Sequence, residues 1–220
     1  METSIREAMS GVRKLGIMGG TFDPIHYGHM VAAETARSEF GLDLVLFIPT
    51  GKPPHKENRL ITEPNLRFEM VEMSIKSNRH FLVSRMEIER EGPTYTVDTL
   101  RIIHSIIPDV ELFFITGTDA LREVLTWREH EEIIRLARII GVSRPGYDSK
   151  NLIEKLSVKY PFTKDRITQI EIPALAISST DIRMRVANNK PIRYLLPDEV
   201  RLYIKNNVLY SDSTNQQDYI

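Results

Sequence analysis

The sequence predicts an α/β protein: a doubly wound parallel sheet of five to six strands flanked by helices, with a small helical part near the C-terminal end. Three observations predict it. Short apolar runs at Leu15–Met18, Leu44–Ile48, Leu112–Thr116 and Ile139–Val142 have the unbroken character of strands buried on both faces. The stretches between them repeat apolar residues at helical spacing, and β-α-β alternation calls for parallel strands. No internal repeat, low-complexity tract or linker divides the 220 residues, so one main core is expected, burying roughly 70% of the unfolded surface.

Residues 1–13 are polar and mixed and read as a loose leader. The first strand stops at Gly19-Gly20, and from about Gly28 a helix carries Ala32, Ala36 and Phe40 on one face. The second strand, Leu44–Ile48, is halted by Pro49. Thr62–Asn78 reads as a helix with Leu66, Met70, Met73 and Ile75 inward, and Phe81–Glu89 alternates as a third strand. Gly92 to Thr96 leads into a helix with Val97, Leu100, Ile103 and Ile107 inward, closed by Pro108. After the fourth strand come a Gly117-Thr118-Asp119 turn, a helix including Ile133–Ala137, and the fifth strand. Asn151–Tyr160 is a short helix candidate, and Ile167–Ile172 a sixth strand. Further helices begin at Ser178 and Pro197; the 14–209 segment forms the domain and 210–220 a polar tail.

Composition excludes several classes. Lys plus Arg (29) nearly balances Asp plus Glu (30), giving a net charge of −1 and no reason to expect nucleic-acid or membrane affinity. No apolar run approaches membrane-spanning length, and the first residues lack the apolar centre of a signal peptide. The absence of cysteine fits a reduced compartment, so a cytoplasmic place is expected. Oligomeric state is left open, a homo-oligomer included.

Chemistry concentrates in Lys14–Met30, KLGIMGGTFDPIHYGHM. Two glycines let a ligand approach bare main chain, and the helix beginning beyond them offers free N–H groups and the positive end of its dipole: an anion site. His26 sits in the loop and His29 in the first helical turn, so both rings can reach one phosphate and stabilise charge as phosphorus is attacked. No Walker loop, GxGxxG fingerprint or HExxH motif is present, and no protein metal site is expected. A second constellation, Ile177-Ser178-Ser179-Thr180-Asp181-Ile182-Arg183, leads three hydroxyls into a helix. Asp181 stands where a capping box needs it, and the same N-terminus can hold a polyphosphate, with Arg183 forking two oxygens.

Other segments admit two readings each. Lys52 and Lys56 lie on the proline-stiffened loop after the second strand, as phosphate contacts or as a solvated loop. The start of the helix after Gly92 is simple capping or a seat for a carboxylate. Asp119 caps a helix or takes a hydroxyl or ring nitrogen of a nucleotide. Trp127, the sole tryptophan, is half-buried packing or a flat face for an aromatic ligand.

GGTFDPIHYGH resembles the first signature of the nucleotidylyltransferase superfamily, with its HxGH element at His26-Tyr27-Gly28-His29, and ISSTDIR resembles the second, ISSTxIR. The order GGTFDPIHYGH, PPHK, GPTYTVDTL, GTDAL, a single Trp, SRPG and ISSTDIR looks like the bacterial nicotinate-nucleotide adenylyltransferase family over roughly residues 14–209. That resemblance implies a Rossmann-like nucleotidylyltransferase fold. It also implies condensation of ATP with nicotinate mononucleotide to deamido-NAD and pyrophosphate, with Mg²⁺ on the phosphates. It makes His26, His29 and Arg183 the catalytic group, and Gly19, Gly20, Thr21, Phe22, Ser179, Thr180 and Arg183 the ATP site. It assigns Thr94, Tyr95, Thr96, Trp127 and Arg128 to the nicotinate ring and its carboxylate, and Gly117 and Asp119 to the mononucleotide or ribose. Lys52, Lys56 and Arg144 are placed around phosphate or ring. Met30 stands where Leu is common, and Arg128 where an aromatic occurs. Phosphopantetheine adenylyltransferase and glycerol-phosphate cytidylyltransferase share the HxGH logic but explain neither GPTYTVDTL nor the Trp. Nicotinamide mononucleotide is the harder alternative acceptor. A non-enzymatic nucleotide-binding regulator is disfavoured by the intact His26, His29 and Arg183, and a redox protein by the missing fingerprint.

Overall fold

Each apolar run becomes a strand of one six-stranded sheet, ordered β3-β2-β1-β4-β5-β6 and parallel throughout. The structure, a computed structural model, describes residues 9–52, 61–143, 153–154, 157–158, 160–173 and 175–211. The strands are β1 Lys14–Gly20, β2 Leu44–Pro49, β3 Phe81–Val83, β4 Glu111–Gly117, β5 Ala137–Ser143 and β6 Ile167–Glu171. The helices are α1 Tyr27–Phe40, α2 Pro64–Ile75, α3 Thr96–Ile106, α4 Thr118–Arg122, α5 His130–Leu136, α6 Ser179–Ala187 and α7 Asp198–Asn206.

Strand alternation separates the core into two layers. Val45, Phe47, Phe113, Ile115, Ile140 and Ile170 face α1, α2, α6 and α7. Leu15, Ile17, Leu46, Ile48, Leu112, Phe114 and Ile139 face α3, α4 and α5. The chain winds β1 to β3 outward in one direction, then returns to lay β4 on the other side of β1. In such sheets the strand order reverses at a crevice outside the carboxyl ends, here those of β1 and β4.

Four expectations are corrected. The third strand is only Phe81–Val83. Its last ladder bond is Ser84 N–H to the Phe47 carbonyl, after which Glu89 N–H closes a turn on Arg85, and the apparent alternation to Glu89 comes from a folded loop. Ala137 is the first residue of β5, paired with Leu112, rather than the end of a helix. The second helix is Pro64–Ile75, opened by proline at its first turn and followed by a turn in which Asn78 N–H meets the Ile75 carbonyl. Its buried face runs through Arg67, Phe68, Met70, Val71, Ser74 and Ile75, not through Leu66. A charged and a hydroxyl residue occupy the inner stripe, which is why apolar spacing misplaced it. Of the expected Asn151–Tyr160 helix, residues 153–154 and 157–158 are described and helical and Tyr160 is described outside a helix, while the rest lies outside the described residues. Met9 is 4% exposed and joins the α3 layer.

Candidate active site

At the end of β1 the chain leaves the sheet through Thr21 and Phe22, the latter in the left-handed region at φ 49°, and passes the cis Asp23–Pro24 bond. Ile25 is fully buried beneath the turn. His26 then caps α1 in extended backbone, and its N–H donates to His29 Nδ1 at 3.2 Å. The two imidazoles stack, centroids 3.8 Å apart and planes at 26°, while Phe22 meets the His29 ring edge-on at 5.1 Å. Gly28 makes the stacking feasible: a Cβ there would lie 3.0 Å from His26 Cε1 and Nδ1.

Because Nδ1 of His29 accepts a hydrogen bond, the ring proton of the neutral form sits on Nε2. Burial, and then the neighbouring His26, hold His29 well below its ordinary value of 6.5. At neutral pH His29 is therefore an uncharged donor. Just below pH 6.5 the unfolded chain takes up this proton and the folded chain does not. Stability is full above that value and is lost as pH falls through it toward the folded value. Thermal unfolding from about pH 7.5 to about 5.5 is expected to show a falling Tm in the wild type and a smaller fall in His29→Gln; equal slopes would mean the site does not hold His29 neutral.

The second signature folds onto the same turn. Ser178 caps α6 by accepting from Asp181 N–H at 3.1 Å. The expected box is only half formed, since the Asp181 carboxylate pairs with Arg185 at 2.7 Å, one helical turn on. Ser179 Oγ donates to the Pro24 carbonyl at 2.8 Å. Arg183 Nη1 donates to the Asp23 carbonyl at 2.7 Å, and Nη2 to Thr180 Oγ1 at 3.3 Å. Residues far apart in sequence thus close on Asp23 and Pro24, immediately before the histidine pair. The Asp23 carboxylate accepts from Tyr210 O–H at 2.7 Å and from Thr62 N–H at 3.4 Å. Burial, then the Asp23 charge, push the Tyr210 hydroxyl up, so it stays a donor.

The other predicted residues fall in a neighbouring group. The Lys52 carbonyl accepts from Thr94 N–H at 3.1 Å and Oγ1 at 3.4 Å, so the loop after β2 is tied to the start of α3. Lys52 itself is exposed and Thr94 buried. Tyr95 caps α3 in extended backbone, and Thr96 is its first residue. The Arg128 guanidinium lies 4.7 Å over the Tyr95 ring, so its side chain is engaged by an aromatic face, although an aromatic was the family's expected residue there. Trp127 is half-buried and meets Phe114 edge-on at 5.8 Å. Gly117 ends β4 at the start of α4, where Thr118 Oγ1 donates to the Val142 carbonyl at 2.8 Å and Asp119 is exposed in the first turn. Lys56 and Arg144 lie outside the described residues.

Sequence reasoning missed two side chains. Arg67, 0% exposed, donates into the turns after both β1 and β2. Its only signal was a charge on the helix stripe that also carries Met70 and Ile75. Tyr210 gave no signal. Among the described residues no group of three His, Cys, Asp or Glu side chains could hold a metal.

The cytidylyltransferase-like family model matches residues 17–185, spanning both signatures. A Desulfitobacterium hafniense (strain Y51) protein named "Probable nicotinate-nucleotide adenylyltransferase" is 55% identical over 90% of this chain and 96% of its own length. A Moorella thermoacetica protein of the same name is 50% identical over 90% of this chain and 91% of its own. Among solved structures, Plasmodium falciparum nicotinic acid mononucleotide adenylyltransferase complexed with NaAD superposes with a TM-score of 0.73 at 21% identity, over 90% of this chain and 97% of that one. At that identity the superposition speaks for the fold alone, a Rossmann-like nucleotidylyltransferase sheet.

Proposed function

The chain belongs to the cytidylyltransferase-like family and, within it, to the nicotinate-nucleotide adenylyltransferases, and we infer that it transfers the adenylyl group of ATP to nicotinate mononucleotide. The products are nicotinate adenine dinucleotide and pyrophosphate, a step of NAD biosynthesis. The single observation that carries the assignment of roles is the meeting of the α6 N-terminus with the Asp23–His29 turn.

A phosphate oxygen of the acceptor attacks the α-phosphorus of ATP, a new P–O–P link forms, and the bond to the β-phosphate breaks with its electrons leaving on pyrophosphate. The acceptor phosphate is already a nucleophile, so no enzyme nucleophile is needed; the site has to align two phosphates and neutralise departing charge. Gly19, Gly20, Thr21 and Phe22 form the floor over which the triphosphate lies. His26 and His29 donate to the reacting phosphates. Ser179, Thr180 and Arg183 receive the pyrophosphate. Arg183 exchanges a backbone carbonyl for a phosphate oxygen, or keeps it through one N–H while using others.

Tyr95, Thr96 and the Trp127–Arg128 segment seat the nicotinate ring and carboxylate at the α3 N-terminus. Lys52, Lys56 and Arg144 are assigned to the phosphate or ring, and Gly117 and Asp119 to the ribose side. Mg²⁺ would come with ATP, neutralising phosphate charge; it keeps waters and substrate oxygens and needs no protein cage. No described helix is long and apolar enough to cross a membrane, and a cytoplasmic place belongs to the proposal.

A helix N-terminus favours a nearby anion by about 0.3–1 kcal/mol, rising to about 2 when partly buried. The acid should therefore be preferred over its amide by roughly tenfold in kcat/KM. Pyrophosphate release from ATP with Mg²⁺ and nicotinate mononucleotide, nicotinamide mononucleotide or phosphopantetheine tests this. Equal use of acid and amide would overturn the carboxylate seat, and turnover of phosphopantetheine alone would overturn the acceptor.

A further inference from the structure

Among the described residues Arg67 is the largest fully buried side chain, yet it forms no ion pair with any of them. Its donors are spent on backbone. Nε meets the Thr62 carbonyl at 2.8 Å, Nη1 that of Thr21 at 2.6 Å, and Nη2 those of Thr50 at 2.7 Å and Gly51 at 3.4 Å. These carbonyls belong to three separate segments: the turn after β1, the loop after β2 and the lead into α2. An apolar side chain of like volume could fill this space, and burying a cation is costly. What only a planar fork supplies is simultaneous hold on several carbonyls at fixed angles.

The bridge continues on the far side. Lys52, next to Gly51, accepts through its carbonyl from Thr94, which leads directly into Tyr95 and Thr96. Gly51 itself is pressed so closely against Glu87 that a Cβ would lie 2.1 Å from its carbonyl oxygen, so this loop has no freedom to drift toward that wall. On the near side Thr21 opens the turn that carries His26 and His29. One buried guanidinium therefore joins the nucleotide side of the site to its acceptor side.

We propose that Arg67 is a positioning residue, fixing the span between the 19–29 turn and the 50–52 loop so that the acceptor phosphate is held in line with the α-phosphorus of ATP. The inference rests on the reading under Proposed function. It makes a demand that a merely structural role does not. Each substrate alone touches one side of the bridge, whereas the dinucleotide product spans both.

The test compares the wild type with Arg67→Lys, which keeps the charge and loses the planar fork. Near-ultraviolet circular dichroism and Tm establish folding, and titration calorimetry gives Kd for ATP, nicotinate mononucleotide and nicotinate adenine dinucleotide. Expected are changes under about threefold for each substrate alone, a loss of at least about tenfold for the dinucleotide, and a fall in kcat of about tenfold to a hundredfold, the scale of ångström misplacement. Should the lysine variant not fold, Arg67→Met, which leaves no buried charge, is read the same way. Dinucleotide binding weakened by no more than the two separate changes combined, or an unchanged kcat, would overturn the role. Wild-type turnover of nicotinate mononucleotide is read first. Its absence sinks the functional assignment, whereas normal wild-type turnover with independent binding in the variant sinks only the role of Arg67.

Discussion

Replacing His29 by alanine is expected to lower kcat at least about a hundredfold while the protein stays folded, the usual scale for losing one donor to transition-state charge. Folding should survive because the ring's own ties are few: one hydrogen bond, from the His26 N–H, an edge contact with Phe22 and the stack on His26. Losing a helix-capping bond costs about 1 kcal/mol, a small part of the roughly 5–15 kcal/mol that holds a domain together. Activity should not survive, because the donor is preorganised: the His26 N–H fixes the ring, the stacked His26 imidazole covers one face, and the proton is left on Nε2. Rapid-quench measurement of the chemical step, beside circular dichroism, checks both halves. Near-normal turnover in a folded His29→Ala protein would remove His29 from the mechanism.

Arg183→Lys is expected to reduce kcat/KM about a hundredfold or more, and Arg183→Ala further, toward the thousandfold seen when an arginine that balances phosphoryl charge is removed. Lysine keeps the charge but not the fork, and here the fork serves two tasks. It donates to the Asp23 carbonyl at 2.7 Å, tying α6 to the phosphate turn, and to Thr180 Oγ1, holding the guanidinium over the helix N-terminus. The reaction run backward separates the tasks. If Arg183 receives pyrophosphate, the KM for pyrophosphate rises at least about tenfold in Arg183→Lys while that for the dinucleotide changes little. A matching rise in both would mean that the arginine acts only by shaping the turn.

Much of this site could be read from the chain because its parts are local. The strand ending at Gly19-Gly20, the His26 cap and the helix behind it occupy one run of residues, and periodicity with capping chemistry places all three. The same holds for Ser178 and α6. What was hidden depends on contacts between distant segments. Arg67 lies on the inner stripe of α2 because four loop carbonyls await it, and nothing within the helix announces them. Tyr210 reaches Asp23 across 187 residues. Glu87, beyond the short third strand, is interior through a similar distant contact: Thr99 Oγ1 donates to its carboxylate at 2.7 Å, and burial pushes its pKa up. Arg128, which stands where an aromatic occurs in the family, likewise meets a distant segment, its guanidinium lying 4.7 Å over the Tyr95 ring.

A crystal structure with nicotinate adenine dinucleotide and pyrophosphate tests the convergence of the two signatures most directly. Nε2 of His29 and the guanidinium of Arg183 should both lie within about 2.7–3.2 Å of oxygens on one linked run of phosphates above the ends of β1 and β4. Phosphates bound elsewhere on the sheet, or His29 and Arg183 facing separate ligand groups with no shared phosphate run between them, would contradict it.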